Sequence, residues 1–244
     1  IDKWALMKLN DVVKRSIKSY EDYEFHTFYS GILNFCIVDM SNFYLDILKS
    51  RLYTEKPDSK ERRSAQSAMF IILDSLVKLL APVLAFTAEE IWAFMPHFAG
   101  DDKASVMLNR MPSAKAEYEN SGLIEKWDKL IAVRNDVNRA LEPARNDKVI
   151  GKSLDAEVTV YASGDMYDFL KENENDLAEI FITSKAFVDK EDNAKDAFSG
   201  DTVKVFVKAS EYEKCGRCWV RSETVGKVEG FPGICADCVK KLTK

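Results

Sequence analysis

Large apolar residues recur at three- and four-residue steps near the start of the chain. This spacing places them on one side of an α-helix, and such a side is typical of a helix that packs on a core. The predicted buried side comprises Phe25, Phe28, Tyr29, Ile32, Phe35, Cys36, Phe43 and Ile47. Three tryptophans with apolar neighbours at helical spacing are also predicted to be core residues, namely Trp4, Trp92 and Trp127.

Further helices follow from the same pattern. A helix is predicted over residues 64–80, between a charged connector at residues 53–64 and Pro82, which lacks a backbone donor. The sequence TAEE at residues 87–90 fits a capping box that starts a short helix. A long helix is predicted over residues 114–144.

The period of the pattern changes after Gly151. Residues 158–161 and 203–208 alternate apolar and polar side chains, as half-buried strands do. Residues 180–188 are predicted as a third strand, preceded by a helix over residues 165–177. These elements predict a mainly α-helical protein with a small α+β module after its helical part.

Composition excludes several classes of protein. The 244 residues are 46% hydrophobic and 31% charged, which suits one to three folded domains and argues against a disordered or fibrous chain. Apolar runs such as residues 69–73 and 83–86 fall far short of the roughly 20 residues that span a bilayer, so no membrane helix is expected. The chain opens at Ile1 without a signal-peptide pattern, and we expect it to be a fragment of a longer protein.

The charge is unevenly distributed. A net charge of −5 argues against a nucleic-acid partner for the chain as a whole, because neutralising phosphates requires clustered Lys and Arg. Residues 204–244, however, hold nine Lys and Arg against five Asp and Glu. This basic tail is compatible with a polyanionic partner.

Four of the five cysteines form two Cys-x-x-Cys pairs near the end of the chain. The pairs are CGRC, with Cys215 and Cys218, and CADC, with Cys235 and Cys238. Sixteen residues separate the pairs, which is the spacing of four-thiolate zinc sites. Four sulfur ligands leave no position for water, so one structural zinc ion is predicted, without catalytic chemistry.

Two other chemistries can place cysteines in pairs. Two disulfides would suit a secreted domain, but the unpaired Cys36 and the absent signal peptide indicate a reducing compartment. A thioredoxin-like redox site would need one Cys-x-x-Cys pair at a strand-to-helix junction. Sequence alone does not decide between zinc and iron. No glycine-rich phosphate loop, nucleophile elbow or His-Glu-x-x-His motif is present.

Several segments together resemble the C-terminal part of bacterial isoleucyl-tRNA synthetases. They are NFCIVDMSNFYLDILKSRLYTEKPDSKERRSAQ, LLAPVLAFTAEEIW, ALEPARNDKVIGKSLDAEV, KCGRCW and ICADC. The resemblance implies a class I anticodon-binding helical bundle at residues 1–112, a connecting helix at 113–150, an α+β module at 151–210 and a zinc-binding tail at 211–244.

The same resemblance implies a function for the longer parent protein. The parent would attach isoleucine to its tRNA using ATP, while this chain, which lacks the catalytic and editing domains, would be no enzyme. The implied partners are tRNA and the catalytic domain of the same parent chain. A cytoplasmic monomer without membrane contact is expected.

Candidate tRNA contacts follow from the chemistry of single-stranded loops, whose bases stack on aromatic or Arg planes while Lys and Arg bind phosphates. Around the first cysteine pair they are Arg217, Trp219 and Arg221. In the helical part they are Arg51, Arg62 and Arg63, and along the long helix Arg134, Arg139, Arg145, Lys148 and Lys152. The alternative for Trp219 is packing over the zinc ribbon, and the charged residues could equally form a solvated surface.

Two functions of other classes remain open. The zinc tail is similar to that of formamidopyrimidine-DNA glycosylases, which would imply DNA binding, although a helical first half does not fit their β-rich lobe. The tail and the acidic module could instead form a protein-interaction module that binds no nucleic acid.

Overall fold

A computed structural model describes residues 1–243 and groups them into two compact units. The first unit comprises residues 1–52 and 57–124, and the second comprises residues 53–56 and 125–243. The first is a helical bundle, and the second combines a long helix, a four-stranded sheet and a cysteine-containing ribbon. This confirms the predicted order of helical, α+β and cysteine-rich parts, while the finer division into four parts remains a prediction.

Five helices build most of the first unit: α1 (Asp2–Glu21), α2 (Phe25–Asn34), α3 (Leu45–Thr54), α4 (Lys60–Leu80) and α5 (Ala85–Phe94). Helix α1 packs against α2 and α4, and α4 packs against α5. The Trp4 ring meets Phe43 edge-on, with 4.8 Å between ring centroids. Trp92 is buried in a cluster with Val77 and Val106. Both tryptophans are core residues, as predicted.

The segment Phe35–Tyr44 is π-helical and joins α2 to α3 as one continuous helix. Each N–H of a π-helix bonds the carbonyl five residues back, so residues on one side recur at four- and five-residue steps. Phe35, Met40 and Tyr44 follow this spacing and are buried. A pattern based on three- and four-residue steps therefore missed Met40.

The continuous helix also leaves apolar residues exposed. Phe25 and Tyr29, which were predicted to be buried, are 53% and 61% exposed, because α2 buries its Phe28 and Ile32 side instead. By length and composition alone, the helix over Phe25–Thr54 could cross a membrane, contrary to expectation. That evidence is weak, since core helices of soluble proteins share both properties.

Two helix starts differ from prediction. The Ser59 hydroxyl accepts the Arg62 N–H at 3.2 Å and caps α4, so the last charged residues of the predicted connector belong to this helix. The capping box at residues 87–90 is wrong, because α5 has already begun. The Glu89 carboxylate instead accepts the Val106 N–H at 3.3 Å.

The long helix α6 (Ser121–Asn146) starts later than predicted. The Asn120 side chain accepts the Leu123 N–H at 3.0 Å and fixes the start there. Lys148, at a φ of 58°, turns the chain away after the helix end, a left-handed conformation common at such ends. Trp127 of α6 is buried, as predicted.

The sheet has the strand order β2-β1-β4-β3. Its strands are β1 (Ala156–Ala162), β2 (Lys185–Lys190), β3 (Phe198–Ser199) and β4 (Lys204–Ala209). Strand β1 pairs in parallel with β2 and antiparallel with β4. The crossover between β1 and β2 contains α7 (Gly164–Glu172) and α8 (Glu174–Phe181).

Two predictions in this region were only partly right. The helix predicted over residues 165–177 is divided into α7 and α8 at Asn173, whose side chain donates to the Phe169 carbonyl at 2.7 Å. The strand predicted over residues 180–188 starts at Lys185, because α8 continues to Phe181 and Ile182, with a φ of 57°, turns the chain after it.

Candidate functional site

The four paired cysteines meet at one point of the ribbon. Their sulfur atoms all lie within 4.8 Å of one another, and the sulfurs of Cys218 and Cys235 are 3.8 Å apart. A disulfide requires about 2.05 Å between sulfurs, so all four thiols are free. Tetrahedral zinc with Zn–S bonds of about 2.3 Å has sulfurs about 3.8 Å apart. The cluster can therefore hold a metal ion, and its dimensions fit zinc.

Backbone hydrogen bonds shape the first cysteine pair into a tight turn. The Trp219 N–H donates to the Cys215 carbonyl at 3.0 Å, and the Cys215 N–H donates to the Val220 carbonyl at 2.9 Å. Trp219 has a φ of 66°, so the chain reverses at this residue in a left-handed conformation. A tryptophan in this conformation was not predicted from the sequence.

The second pair is positioned by a helix start. Cys235 immediately precedes α9 (Ala236–Leu242), and Cys238 lies in its first turn. Gly233, at a φ of 114°, accepts the Gly216 N–H with its carbonyl at 2.8 Å and ties the two turns together. Both sulfur pairs are thereby directed at the same centre.

The surroundings of the thiols favour a thiolate at one position. Burial raises the pKa of Cys215, but backbone N–H groups of Cys218, Cys235 and Arg217 outweigh it and lower the pKa to about 6. The Cys235 N–H lies 3.3 Å from the Cys215 sulfur. Burial raises the pKa of Cys218 and Cys238. A bound cation would stabilise all four thiolates, since a metal deprotonates the thiols that it coordinates.

Beside the cysteine cluster, Trp219 presents a half-exposed indole with two lysine ammonium groups over its ring. Its side chain is 53% exposed. The ammonium groups of Lys152 and Lys214 lie 5.5 Å and 5.4 Å from the centre of its ring. We call these three residues the Trp219 platform. Trp219 and Lys152 were predicted from separate segments, whereas Lys214 was missed although it directly precedes the first cysteine.

The two arginines predicted near the first cysteine pair, Arg217 and Arg221, are partly buried. Arg221 donates to the Asp155 carboxylate at 2.8 Å and to the Tyr212 carbonyl at 3.1 Å. Burial would raise the pKa of Asp155, but the Arg221 guanidinium outweighs it and keeps that pKa below its ordinary value. Arg217 is half-buried, and its Nη1 has no hydrogen-bond partner among the described residues. Through its bond to Asp155, Arg221 attaches the ribbon to the turn before β1.

The basic residues predicted along α6 have different surroundings. Arg134 is buried, at 8% exposure. Arg139 pairs with the Asp201 carboxylate at 2.6 Å, and Arg145 donates to the Ser153 hydroxyl at 2.6 Å. Lys148 is exposed at the turn after the helix. The structure brings Lys152 alone of these five predicted residues to the Trp219 ring.

The contacts predicted in the first unit lie on two helices, Arg51 in α3 and Arg62 and Arg63 in the first turns of α4. Arg51 of α3 lies 3.9 Å from the Asp2 carboxylate, which also accepts a hydrogen bond from Ser64 of α4. Arg62 is half-buried in the first turn of α4. Arg63 is exposed, 3.4 Å from Gln66. Whether any of these residues contacts RNA stays a prediction.

The chain thus combines a helical bundle with a ribbon whose four clustered thiols can hold a metal ion. The family described as the anticodon-binding domain of tRNA ligase matches residues 2–160, and the chain belongs to this family.

Nearly the whole chain is also similar to isoleucine–tRNA ligases. The identity is 49% with the ligase of Caldanaerobacter subterraneus subsp. tengcongensis over 99% of this chain. It is 47% for Syntrophotalea carbinolica over 100% of the chain, and 48% for Carboxydothermus hydrogenoformans over 99%. In each case the match covers 26% of the ligase, so the chain spans about a quarter of these relatives' length. The resemblance found in the sequence is confirmed.

Proposed function

We propose that this chain binds the anticodon end of isoleucine tRNA as part of an isoleucine–tRNA ligase. The complete ligase would attach isoleucine to that tRNA using ATP, in a catalytic domain outside the matched quarter. The chain itself then has a binding role and no catalytic one. A cytoplasmic, monomeric protein without membrane contact belongs to the same proposal.

The Trp219 platform is the observation that carries this proposal. A half-exposed indole on a turn held by backbone hydrogen bonds offers a flat, pre-positioned surface to an unpaired base. Base–aromatic stacking contributes about 1–3 kcal/mol per base, and it does not require a particular base. Lys152 and Lys214 next to the ring supply positive charge for the flanking phosphates.

In this proposal one zinc ion stiffens the platform. Cys215, Cys218, Cys235 and Cys238 supply the four thiolates, and their spacing fits a zinc tetrahedron. With every coordination position taken by sulfur, the ion would hold the turn that carries Trp219 and activate no water. A bound iron ion would play the same structural part, and metal analysis of the purified protein separates the two.

The first unit favours tRNA over DNA as the nucleic acid. The glycosylases with a similar zinc tail pair it with a β-rich lobe, whereas helices α1 to α5 build most of the first unit here. The anticodon-binding family match also lies in this part of the chain and extends to residue 160. A pure protein-interaction role instead predicts that removal of the Trp219 indole leaves tRNA affinity unchanged.

The experiment is a titration of the purified chain with isoleucine tRNA. We expect Trp219→Ala to weaken binding about 5- to 150-fold, which corresponds to the loss of one stacked base. Trp219→Phe, which keeps an aromatic ring on the same backbone, should retain most of the affinity. Phe187→Ala removes an aromatic residue that is 43% exposed on β2 and should leave binding unchanged.

Metal content serves as the control for this titration. Each variant must keep one metal ion per chain, so that a weaker affinity reflects the side chain and not an unfolded ribbon. Equal affinity of wild type and Trp219→Ala for isoleucine tRNA would contradict the proposed site. Equal affinity of the wild type for isoleucine tRNA and an unrelated polyanion would contradict anticodon recognition.

A further inference from the structure

The charged segment that follows α3 contributes two residues to the second unit. Glu55 and Lys56 come directly after α3, and residues 53–56 group with the second unit. Thr54 before them is buried, at 4% exposure. A charged connector is usually a solvated surface. Partial burial of this one indicates that its charged side chains have partners in the second unit.

Both charged side chains contact the end of α9 in the ribbon. The Lys241 ammonium pairs with the Glu55 carboxylate at 2.5 Å, and these side chains are 32% and 19% exposed. The Lys56 ammonium donates to the Thr243 carbonyl at 2.8 Å, directly after the helix. A cation at this position is favourable, because the C-terminal end of a helix carries partial negative charge. We call Glu55 and Lys56 the α9 clamp.

Helix α9 is too short to be stable through its own hydrogen bonds. It has seven residues, whereas isolated helices shorter than about 12 residues are marginal in water. Its buried residues are Cys238 and Val239, so apolar packing contributes little to holding it. The helix therefore relies on contacts of its first turn with the cysteine cluster and of its last turn with the α9 clamp.

The placement of α9 decides where one metal ligand lies. Cys238 is in its first turn, and Lys241 follows three residues later on the same helix. Burial would lower the pKa of Lys241, but Glu55 outweighs it, with smaller contributions from Cys238 and Cys218, and the pKa lies above its ordinary value. The Lys241 ammonium is thus close enough to the sulfur cluster to interact with its charge.

We infer that Glu55 is a positioning residue of the metal site: together with Lys56 it holds α9 in place and so keeps the Cys238 sulfur where the ion requires it. The inference rests on the proposed zinc ion. Residues that orient metal ligands contribute to metal affinity without touching the ion. A residue far from the cysteines in sequence thereby becomes part of the metal site.

Simple electrostatics predicts the opposite effect of Glu55. An ion held by four thiolates has a net negative charge, so a nearby carboxylate disfavours the loaded site. Removing the Glu55 carboxylate would then strengthen metal binding. If the carboxylate instead holds α9, its removal weakens metal binding. The direction of the change in affinity separates the positioning role from a charge effect.

The test is a titration of the metal-free full chain with cobalt(II), whose thiolate complexes absorb visible light. We expect Glu55→Ala to raise the cobalt dissociation constant about 10-fold, the low end for residues that orient metal ligands. Glu55→Gln keeps an acceptor for Lys241 and should raise it only about threefold, because neutral hydrogen bonds have roughly half the strength of charge-assisted ones. Lys240→Ala removes a side chain of α9 that is 78% exposed and should leave the affinity unchanged.

Hydrogen exchange at saturating cobalt shows whether α9 itself is loosened. The Val239 N–H donates to the Cys235 carbonyl at 3.0 Å within this helix. Glu55→Ala should make the Val239 amide exchange faster, while amides of α1 keep their protection and the absorption spectrum stays that of four thiolates. Weaker cobalt binding with unchanged exchange at Val239, or with faster exchange in α1 as well, would overturn the positioning role.

The affinities themselves give the remaining outcomes. Unchanged or tighter cobalt binding in Glu55→Ala would overturn the inference. A wild type that binds neither cobalt nor zinc would contradict the proposed ion and the inference with it, so the two failures differ in the protein that shows them. The tRNA titration of Trp219 variants is separate, and failure of anticodon recognition would leave the outcome of this test unchanged.

Discussion

At the scale of single residues, one buried carboxylate fixes the turn between β3 and β4. Asp136 of α6 is 2% exposed. Its oxygens accept backbone N–H groups of Asp201 at 3.0 Å, Thr202 at 2.7 Å and Val203 at 3.2 Å. Gly200 approaches so closely that an added Cβ would lie 2.3 Å from the Asp136 Cγ. The turn thus needs both the carboxylate and the glycine.

We expect Gly200→Ala to lower the free energy of unfolding of the second unit by about 1–3 kcal/mol, because the new methyl group would displace a carboxylate held by three hydrogen bonds. Asp136→Ala should cost at least as much, since it leaves three backbone donors unpaired. Urea titration measures the free energy of unfolding of both variants.

Gly31→Ala is the control for Gly200→Ala. It lies within α2 with open space around its Cβ position, and it should instead stabilise the protein by about 0.5–1 kcal/mol. An unchanged free energy of unfolding in Gly200→Ala would show that the turn between β3 and β4 can move away from the new methyl group.

The residues that the sequence could identify are those whose role depends on local spacing. The three core tryptophans followed from helical periodicity, and the four cysteines followed from the distances between them along the chain. Asp136 was missed because its three partners lie more than 60 residues away in sequence. Lys214 was missed because only the folded turn places its ammonium group over Trp219.

At the scale of elements, the ribbon has almost no apolar core of its own. Its buried cluster consists of Cys215, Cys235, Cys238 and one valine, Val225. Three thiols and a valine contribute far less than the roughly 10–16 kcal/mol that zinc binding supplies in small modules. We therefore expect the fold of this element to depend on a bound metal ion.

We expect a strong chelator to unfold the ribbon and leave the helical bundle folded. Hydrogen exchange should show loss of protection at the Cys215 and Cys235 amides, while amides of α1 and α4 keep theirs. Cys235→Ser should reduce the metal content below one ion per chain. Cys36→Ser, at a half-buried thiol of the π-helical segment, is the matched control and should keep one ion. A ribbon that stays protected without metal would disprove this dependence.

The stability of a second element, the β1–β4 strand pair, depends on pH through Glu157. Its carboxylate accepts the Ser210 hydroxyl at 2.9 Å and pairs with Lys208 at 3.0 Å. Burial would raise the pKa of Glu157, but Lys208 and Ser210 outweigh it and hold the pKa below its ordinary value. A carboxyl with a lowered folded-state pKa adds stability above its unfolded-state pKa and loses it as pH falls through the folded one.

We therefore expect the second unit to lose stability as pH falls below the ordinary glutamate pKa of about 4.3, and measurements from pH 6 to pH 3 cover this range. Urea midpoints of wild type and Glu157→Gln measured across this range separate the Glu157 contribution from other titrating groups. The wild type should be more stable than Glu157→Gln at pH 6, and the difference should shrink at pH 3. A difference that stays constant with pH would assign the effect to packing.

Element boundaries were harder to predict than element types. Helices and strands followed from periodicity, but their ends depend on single side-chain contacts such as the Ser59 and Asn120 caps. The π-helical segment Phe35–Tyr44 was not foreseen, because its five-residue hydrogen bonds alter the apolar spacing. The periodicity that identifies a helix does not show which part of its apolar surface stays exposed, as for Phe25 and Tyr29.

At the scale of the whole molecule, charge is divided between an acidic majority and a basic tail. The net charge of −5 would repel RNA at long range, so the proposed tRNA binding would depend on a few local cations. Residues 165–201 hold eleven acidic side chains against four basic ones, whereas residues 204–244 are net positive. This distribution suits an orientation in which only one region of the protein approaches the phosphates.

Salt dependence measures how many cations take part. Each phosphate contact to single-stranded RNA changes the logarithm of affinity by about 0.7 per tenfold change in salt. If Lys152 and Lys214 each neutralise one phosphate, the double variant Lys152→Ala/Lys214→Ala should have a slope that is shallower by about 1.4 between 50 and 200 mM KCl. Lys129→Ala, on α6 with its ammonium group over Phe169, is the control and should keep the wild-type slope. An unchanged slope in the double variant would mean that these lysines only flank the indole, and that stacking on Trp219 operates without their charge.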